Sequence, residues 1–361
     1  MRKLSPFALV STAPALAHLI NAQQASPVHP QQNTTAARHN TTTTGRREQS
    51  KSTRSEQELW ATSPTPPPAD PAPAIGAILK QITVNLDGTI TRPEVPLVPP
   101  SSAAGATVSR DVPLDATLGT YLRLFQPNPA PTAKLPIVLF FHGGGFVLFS
   151  SATVFYHAHC EAMAAAVPCL VASLHYRLAP EHRLPGPVAY DDAATALAWL
   201  LGGTAQANPW IAAHGDLSRC YVMGNNCGGN MAFFAGLRLR VDSPSFAGAV
   251  RGLLLHQPYF GVENLALPEG ADRDHEFCNP TKAMAPAALA GLPRCLVTGN
   301  RGDPLIDKGR EFARWLAEQG GVEVVARTEH EGGHAAELFL PERANELFAA
   351  MREFMAAVDG A

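Results

Sequence analysis

The stretch Met223-Gly224-Asn225-Asn226-Cys227-Gly228-Gly229-Asn230 connects a predicted apolar strand over 220–224 to a predicted helix that starts at Gly228. A strand–turn–helix this tight needs small residues at 224 and 228, and its middle residue is held in a strained backbone conformation. Asparagine tolerates a left-handed φ better than most residues do. We therefore expect Asn226 to lie at the tip of a sharp turn and to preserve its shape.

Strands and helices alternate around this turn. The strand predicted at 136–141 is continuously apolar, as a central strand covered on both faces should be. A hairpin at 82–91 and a strand at 121–125 precede it, and the later strands are predicted at 169–175, 220–224, 250–256, 294–299 and 322–328. Helices are predicted near 152–166, 188–201, 228–240 and 305–319, and from about 342. The alternation predicts an α/β fold with a mostly parallel central sheet and helices on both faces.

The first part of the chain differs from the rest in composition. Residues 1–75 are rich in Thr, Ser, Gln, Ala and Pro, with no Asp or Glu before Glu48. This composition predicts a disordered tail or a targeting segment, followed by one globular domain over 76–361. We expect a cytoplasmic protein, or a plastid or mitochondrial one if the tail is a transit peptide.

Composition argues against several classes of function. The 361 residues carry a formal net charge of -3, so no basic face for nucleic acid is expected. No apolar run approaches the roughly 18 residues of a membrane span. The six cysteines include no C-x-x-C pair, and no metal site is indicated.

A glycine-rich segment directly follows the strand at 136–141. It reads Phe140-Phe141-His142-Gly143-Gly144-Gly145-Phe146. Glycines let the backbone approach a ligand and point consecutive N–H groups at one oxygen atom, as in an oxyanion hole for a tetrahedral intermediate. The alternative is a glycine-rich turn without a ligand, but the strand before it favours the functional interpretation.

An acid and a histidine follow later strands. Asp303 lies in the loop after the strand at 294–299, whereas Asp307 fits a favourable charge in the next helix's first turn. His334 follows two glycines after the last strand, and His330 competes with it but lies nearer the strand's end. The order of residue 226, acid and histidine is that of nucleophile, acid and base in the α/β-hydrolases.

Four segments together make a specific resemblance. They are His142–Gly145, Tyr176–His182, Tyr190–Ala193 and Gly224–Asn230. Over about 80–361 the chain resembles plant carboxylesterases of the hormone-sensitive-lipase-like family. The resemblance implies an α/β-hydrolase fold, hydrolysis of short-chain carboxylic esters and no cofactor.

The resemblance also implies roles for individual residues. Asp303 and His334 would be members of a catalytic triad, and Asn226 occupies the nucleophile position. Gly143, Gly144 and the N–H of Cys227 would form the oxyanion hole.

Two departures from the family pattern concern the chemistry. The family's serine is Asn226 here, and the acid before it is Asn225. A carboxamide nitrogen is delocalised into its carbonyl, so a histidine base cannot turn it into a nucleophile. Cys227 lies one residue too late, where its side chain should point away from the turn.

The segment over 260–272 is also shorter than in relatives by about a helix. In relatives this segment helps to cover the acyl pocket, so the resemblance implies an altered substrate pocket.

Three hypotheses remain open. The first is a carboxylesterase-family hydrolase with impaired or lost turnover. The second is a non-catalytic protein that binds a small hormone-like molecule on the same scaffold, as the related plant gibberellin receptor does. The third is a decaying gene copy, which should be unstable.

Overall fold

The computed structural model describes residues 78, 81–101, 105–182, 188–242, 248–261, 266–267 and 270–360. The predicted tail over 1–75 lies outside the described residues. Among the described helices, none is long and apolar enough to cross a membrane.

An eight-stranded sheet carries the fold. Its strands are β3 (Thr107–Asp115), β4 (Thr120–Pro127), β5 (Leu135–Phe141), β6 (Leu170–His175), β7 (Gly215–Asn225), β8 (Val250–His256), β9 (Cys295–Asn300) and β10 (Val324–His330). They lie side by side in the order β10-β9-β8-β7-β5-β6-β4-β3. β4 pairs antiparallel with β3 and β6, and the other neighbours are parallel. The prediction of a mostly parallel sheet is therefore confirmed. A separate hairpin pairs β1 (Thr83–Val84) with β2 (Ile90–Thr91) at the predicted place.

Helices follow most of the strands. They are α1 (Val154–Ala166), α2 (Val188–Leu201), α3 (Pro209–His214), α4 (Cys227–Asp242), α5 (Pro280–Ala283), α6 (Ile306–Glu318) and α7 (Pro341–Asp359). Short 3₁₀ helices cover Thr204–Ala207, Pro286–Leu289 and Ala336–Leu338.

Both faces of the sheet are covered. Leu254 of β8 belongs to a buried cluster with Met163 of α1 and Phe354 of α7. Leu253 points to the opposite face because side chains alternate along a strand. There it lies against Gly236 of α4, where an added Cβ would come within 2.8 Å of the leucine side chain. The sheet is thus sandwiched between helices, and the parallel strands end at one common edge.

The sequence did not predict β3 or the short helix α3. β3 contains Asp111 and Pro113, which interrupt a clear apolar alternation. It lies at the edge of the sheet, where proline is tolerated because one side of the strand needs no ladder hydrogen bonds.

Candidate active site

The turn between β7 and α4, which we call the elbow, is a single residue long. β7 ends at Asn225 and α4 begins at Cys227, so Asn226 alone connects them, with φ at +55°. An added Cβ at Gly224 would lie 2.0 Å from the carbonyl oxygen of Gly228, and one at Gly228 would lie 2.0 Å from that of Phe141. Both positions therefore require glycine, as expected.

Backbone hydrogen bonds attach the elbow to the end of β8. The Asn226 N–H donates to the carbonyl oxygen of His256 at 3.0 Å, and the Tyr259 N–H donates to the carbonyl oxygen of Asn226 at 3.0 Å. These contacts hold Asn226 at the carboxyl edge of the sheet.

The structure brings Asn226, His334 and Asp303 into one hydrogen-bonded chain. Nδ1 of His334 lies 3.1 Å from both carboxylate oxygens of Asp303, which is buried. Nδ2 of Asn226 lies 3.1 Å from Nε2 of His334. Because the amide nitrogen can only donate, His334 Nε2 accepts and Nδ1 carries the proton towards Asp303.

The environment of His334 makes it a stronger base than an ordinary histidine. Burial opposes the charge, but the hydrogen bond to Asp303 and the negative charge of that carboxylate outweigh it and raise the pKa of His334 above its ordinary value. An imidazole held in this tautomer by a buried carboxylate is equipped to accept a proton at Nε2.

The glycine-rich loop presents a pair of N–H groups to the oxygen of Asn226. The N–H groups of Gly144 and Gly145 lie 3.4 and 3.2 Å from Asn226 Oδ1. The N–H of Gly143, which we expected to face a substrate oxygen, donates to the Tyr156 hydroxyl at 2.9 Å instead. Gly145 was not among the predicted residues. Its place as the third glycine of the segment was the one signal in the sequence.

Left-handed backbone angles create this geometry. Gly144 and Gly145 have φ of +121° and +64°. An added Cβ at Gly144 would come within 2.4 Å of the carbonyl oxygen of Leu148. These glycines allow the backbone to turn its N–H groups towards the elbow.

The side chain of Cys227 points into the core, as its position at the start of α4 predicted. The Phe146 N–H donates to Sγ at 3.2 Å, and the Tyr176 hydroxyl lies 3.7 Å from it. Burial raises the pKa of the Cys227 thiol to about 11, so little thiolate exists at neutral pH. The N–H of Cys227 belongs to the first turn of α4, where N–H groups lack an intrahelical acceptor. That location suits the predicted oxyanion contact, which stays a prediction.

A second polar network lies behind the elbow. Asn225 Nδ2 donates to Glu337 Oε1 at 2.8 Å, and His256 Nε2 lies 3.0 Å from Glu337 Oε2. His256 Nδ1 lies 2.7 Å from the Thr298 hydroxyl. Burial alone would raise the pKa of Glu337, but attraction to His256 and the contact with it lower that pKa to about 2. Sequence reasoning missed Glu337, three residues after His334.

The shortened segment over 260–272 is described in part. Residues 262–265 and 268–269 lie outside the described residues. Ala266 and Leu267 between them are fully buried.

Comparison with known proteins identifies the scaffold. A model of the α/β hydrolase fold family matches residues 138–266 and 261–338. Probable carboxylesterase 8 of Arabidopsis thaliana is 37% identical over 327 residues, covering 80% of this chain and 94% of that protein. The 3-O-acetylpapaveroxine carboxylesterase CXE2 of Papaver somniferum is 37% identical over 287 residues, covering 68% and 90%. The Pyrobaculum calidifontis esterase structure superposes with a TM-score of 0.54 at 26% identity, covering 69% of this chain and 85% of that one.

Proposed function

We propose that this chain, which belongs to the plant carboxylesterase family, carries an esterase-type site without a working nucleophile. The family is a hormone-sensitive-lipase-like branch of the α/β-hydrolases. One observation carries the proposal. The carboxamide of Asn226 spans the site, with its oxygen against the N–H groups of Gly144 and Gly145 and its nitrogen against His334.

This arrangement lowers ester turnover in two ways. An amide nitrogen whose lone pair is delocalised cannot attack a carbonyl carbon. The amide oxygen also occupies the donors that would otherwise receive the developing oxyanion. Loss of the nucleophile from a serine hydrolase costs about 10⁶ in kcat, on the order of 8 kcal/mol. We therefore expect the native chain to be a very poor esterase.

The substrate class we propose is small carboxylic esters, with acetyl esters first. The Papaver somniferum relative is named for an acetylated small molecule. The N–H groups of the glycine loop are suited to donate to an ester carbonyl oxygen. Initial rates with p-nitrophenyl acetate and butyrate, for the native chain and for Asn226→Ser, test this assignment. Asn226→Ser should hydrolyse the acetate faster than the butyrate, and a preference for the butyrate would contradict the acetyl assignment. Rapid hydrolysis by the native chain would instead contradict the loss of the nucleophile.

A second candidate function is binding without turnover of a small hormone-like ligand. It is favoured by the retention of the Asp303–His334 pair and of the glycine loop beside a residue that cannot act as a nucleophile. Calorimetric titration with non-hydrolysable ester analogues separates the two candidates, because a binding protein should hold them with Asn226 in place. A decaying copy would instead show no cooperative unfolding transition.

For location, we propose the cytoplasm, with a plastid or mitochondrion as the alternative if residues 1–75 act as a transit peptide. Imaging of fluorescent fusions with and without residues 1–75 tests this assignment. Organelle import that depends on the tail would select the alternative.

A further inference from the structure

We propose that Asn226 is a substrate of its own site, and that the chain slowly hydrolyses the Asn226 side-chain amide to an aspartate with release of ammonia. This self-modification does not depend on ester turnover. It follows from how the carboxamide lies among the groups of the site.

The oxygen side of the amide faces the donors expected for an acyl-transfer reaction. The N–H groups of Gly145 and Gly144 lie 3.2 and 3.4 Å from Oδ1. These are long hydrogen bonds for a neutral carbonyl, and they strengthen as negative charge develops on the oxygen. The donors therefore stabilise a tetrahedral intermediate on the side chain more than they stabilise the amide itself.

The nitrogen side faces the base. Nδ2 lies 3.1 Å from Nε2 of His334, whose other nitrogen is 3.1 Å from both oxygens of Asp303. An amine leaves a tetrahedral carbon only if it receives a proton. His334 is the group placed to deliver that proton to Nδ2, and the buried Asp303 stabilises the imidazolium that forms first.

The two residues between which water would react are partly exposed. Asn226 is half-buried, and the side chain of His334 is 21% exposed, although Asp303 behind it is buried. We place the attacking water on this exposed side, next to Cγ and His334.

The reaction balances with solvent water as the sole co-reactant. The hydrogen bond from Nδ2–H to His334 Nε2 opens, and Nε2 takes a proton from the water. The water oxygen bonds to Cγ, and the carbonyl electron pair moves to Oδ1. The intermediate then collapses. The Cγ–Nδ2 bond breaks, the proton on His334 passes to the nitrogen, and ammonia departs. The new carboxylic acid gives up its proton to the ammonia, leaving an aspartate carboxylate at position 226 and ammonium, with nothing oxidised or reduced.

The neighbouring Asn225 is an internal control. It is buried, and its amide nitrogen donates to the Glu337 carboxylate instead of facing a base that can return a proton to it. It precedes Asn226 directly, so both residues are measured in one peptide.

Ordinary asparagine deamidation makes a different product mixture. There the following backbone nitrogen attacks the side chain and forms a cyclic imide, which opens to both aspartate and isoaspartate. Hydrolysis by His334-activated water yields aspartate with a normal backbone alone. The product therefore identifies the route.

The experiment ages the full-length chain at neutral pH in water enriched in heavy oxygen and follows residues 225 and 226 by peptide mass spectrometry. We expect aspartate without isoaspartate at 226, one heavy oxygen in its carboxylate, and an unchanged Asn225. In His334→Ala the rate should fall by about 10²-fold, the contribution of general acid–base catalysis.

A folding-independent readout accompanies the variant. In the native chain the rate should fall as pH drops through the pKa of His334, because the protonated imidazole cannot activate water. Equal rates at 225 and 226, isoaspartate at 226, or a rate unaffected by both His334→Ala and pH would overturn the proposal.

Discussion

Replacing Asn226 with serine tests the interpretation of the elbow most directly. The substitution removes Oδ1 from the N–H groups of Gly144 and Gly145 and places a hydroxyl on the side of the turn that faces His334. The Asp303–His334 pair does not depend on the replaced atoms. A serine hydroxyl can therefore give its proton to Nε2, which the carboxamide nitrogen cannot usefully do.

The size of the gain follows from the groups already assembled. Removing a nucleophile from a serine hydrolase costs about 10⁶ in kcat, and binding plus oxyanion contacts retain about 10³–10⁴ over water. With the base and donors in place, we expect Asn226→Ser to raise kcat by about 10⁴-fold or more, which is about 5.5 kcal/mol of barrier. The cost to stability should be about 1 kcal/mol, because φ of +55° is less favourable for serine than for asparagine.

The assay compares initial rates and the burst of p-nitrophenol from p-nitrophenyl acetate. Asn226→Ala is the matched control, since it clears the glycine N–H groups without supplying a nucleophile. Asn225→Ser controls for a hydroxyl one residue away. If Asn226→Ser gave no burst and was no faster than Asn226→Ala, the inference that a single substitution silenced this site would be refuted.

Other predictions concern the base, the buried network and the turn. The kcat of Asn226→Ser should fall at acid pH, with a midpoint above the ordinary histidine value because Asp303 raises the pKa of His334; a pH–rate profile measures it. Glu337→Ala should lower the free energy of unfolding by about 3 kcal/mol in urea, since it leaves His256 without its buried partner. The native chain should lose stability as pH falls from 4.5 towards about 2, because the pKa of Glu337 is about 2 in the folded chain and returns to 4.5 on unfolding. Glu337→Ala should show a weaker loss of stability in acid titrations of folding. Gly228→Ala should prevent folding or cost at least about 3 kcal/mol, seen as a reduced soluble yield and melting temperature, because its Cβ would meet the Phe141 carbonyl at 2.0 Å.

Much of the fold was predictable because its central strands are continuously apolar and separated by helical segments. β5 and β8 lie where the apolar runs placed them. β3 was missed because an edge strand tolerates Asp111 and Pro113 and so lacks a clear pattern. Local periodicity indicates burial, and edge strands are only partly buried.

The site was likewise predictable in part. The meeting of Asn226, Asp303 and His334 was predictable, because loops that follow parallel strands collect at one edge of the sheet. It was not predictable which N–H groups face the Asn226 oxygen, because the directions of these N–H groups depend on the φ angles of Gly144 and Gly145. Nor was the contact of Asn225 with Glu337, which joins residues 112 positions apart.

The Asn225–Glu337 contact constrains the order in which this chain could regain its family's sequence. An aspartate at 225 would place a second carboxylate where the amide now lies 2.8 Å from Glu337, and one of the two acids would have to take up a proton. Serine at 226 meets no such obstacle. The two departures at the elbow therefore differ: position 226 can revert without disturbing this contact, whereas reversion at 225 forces one buried acid to take up a proton unless Glu337 is also replaced.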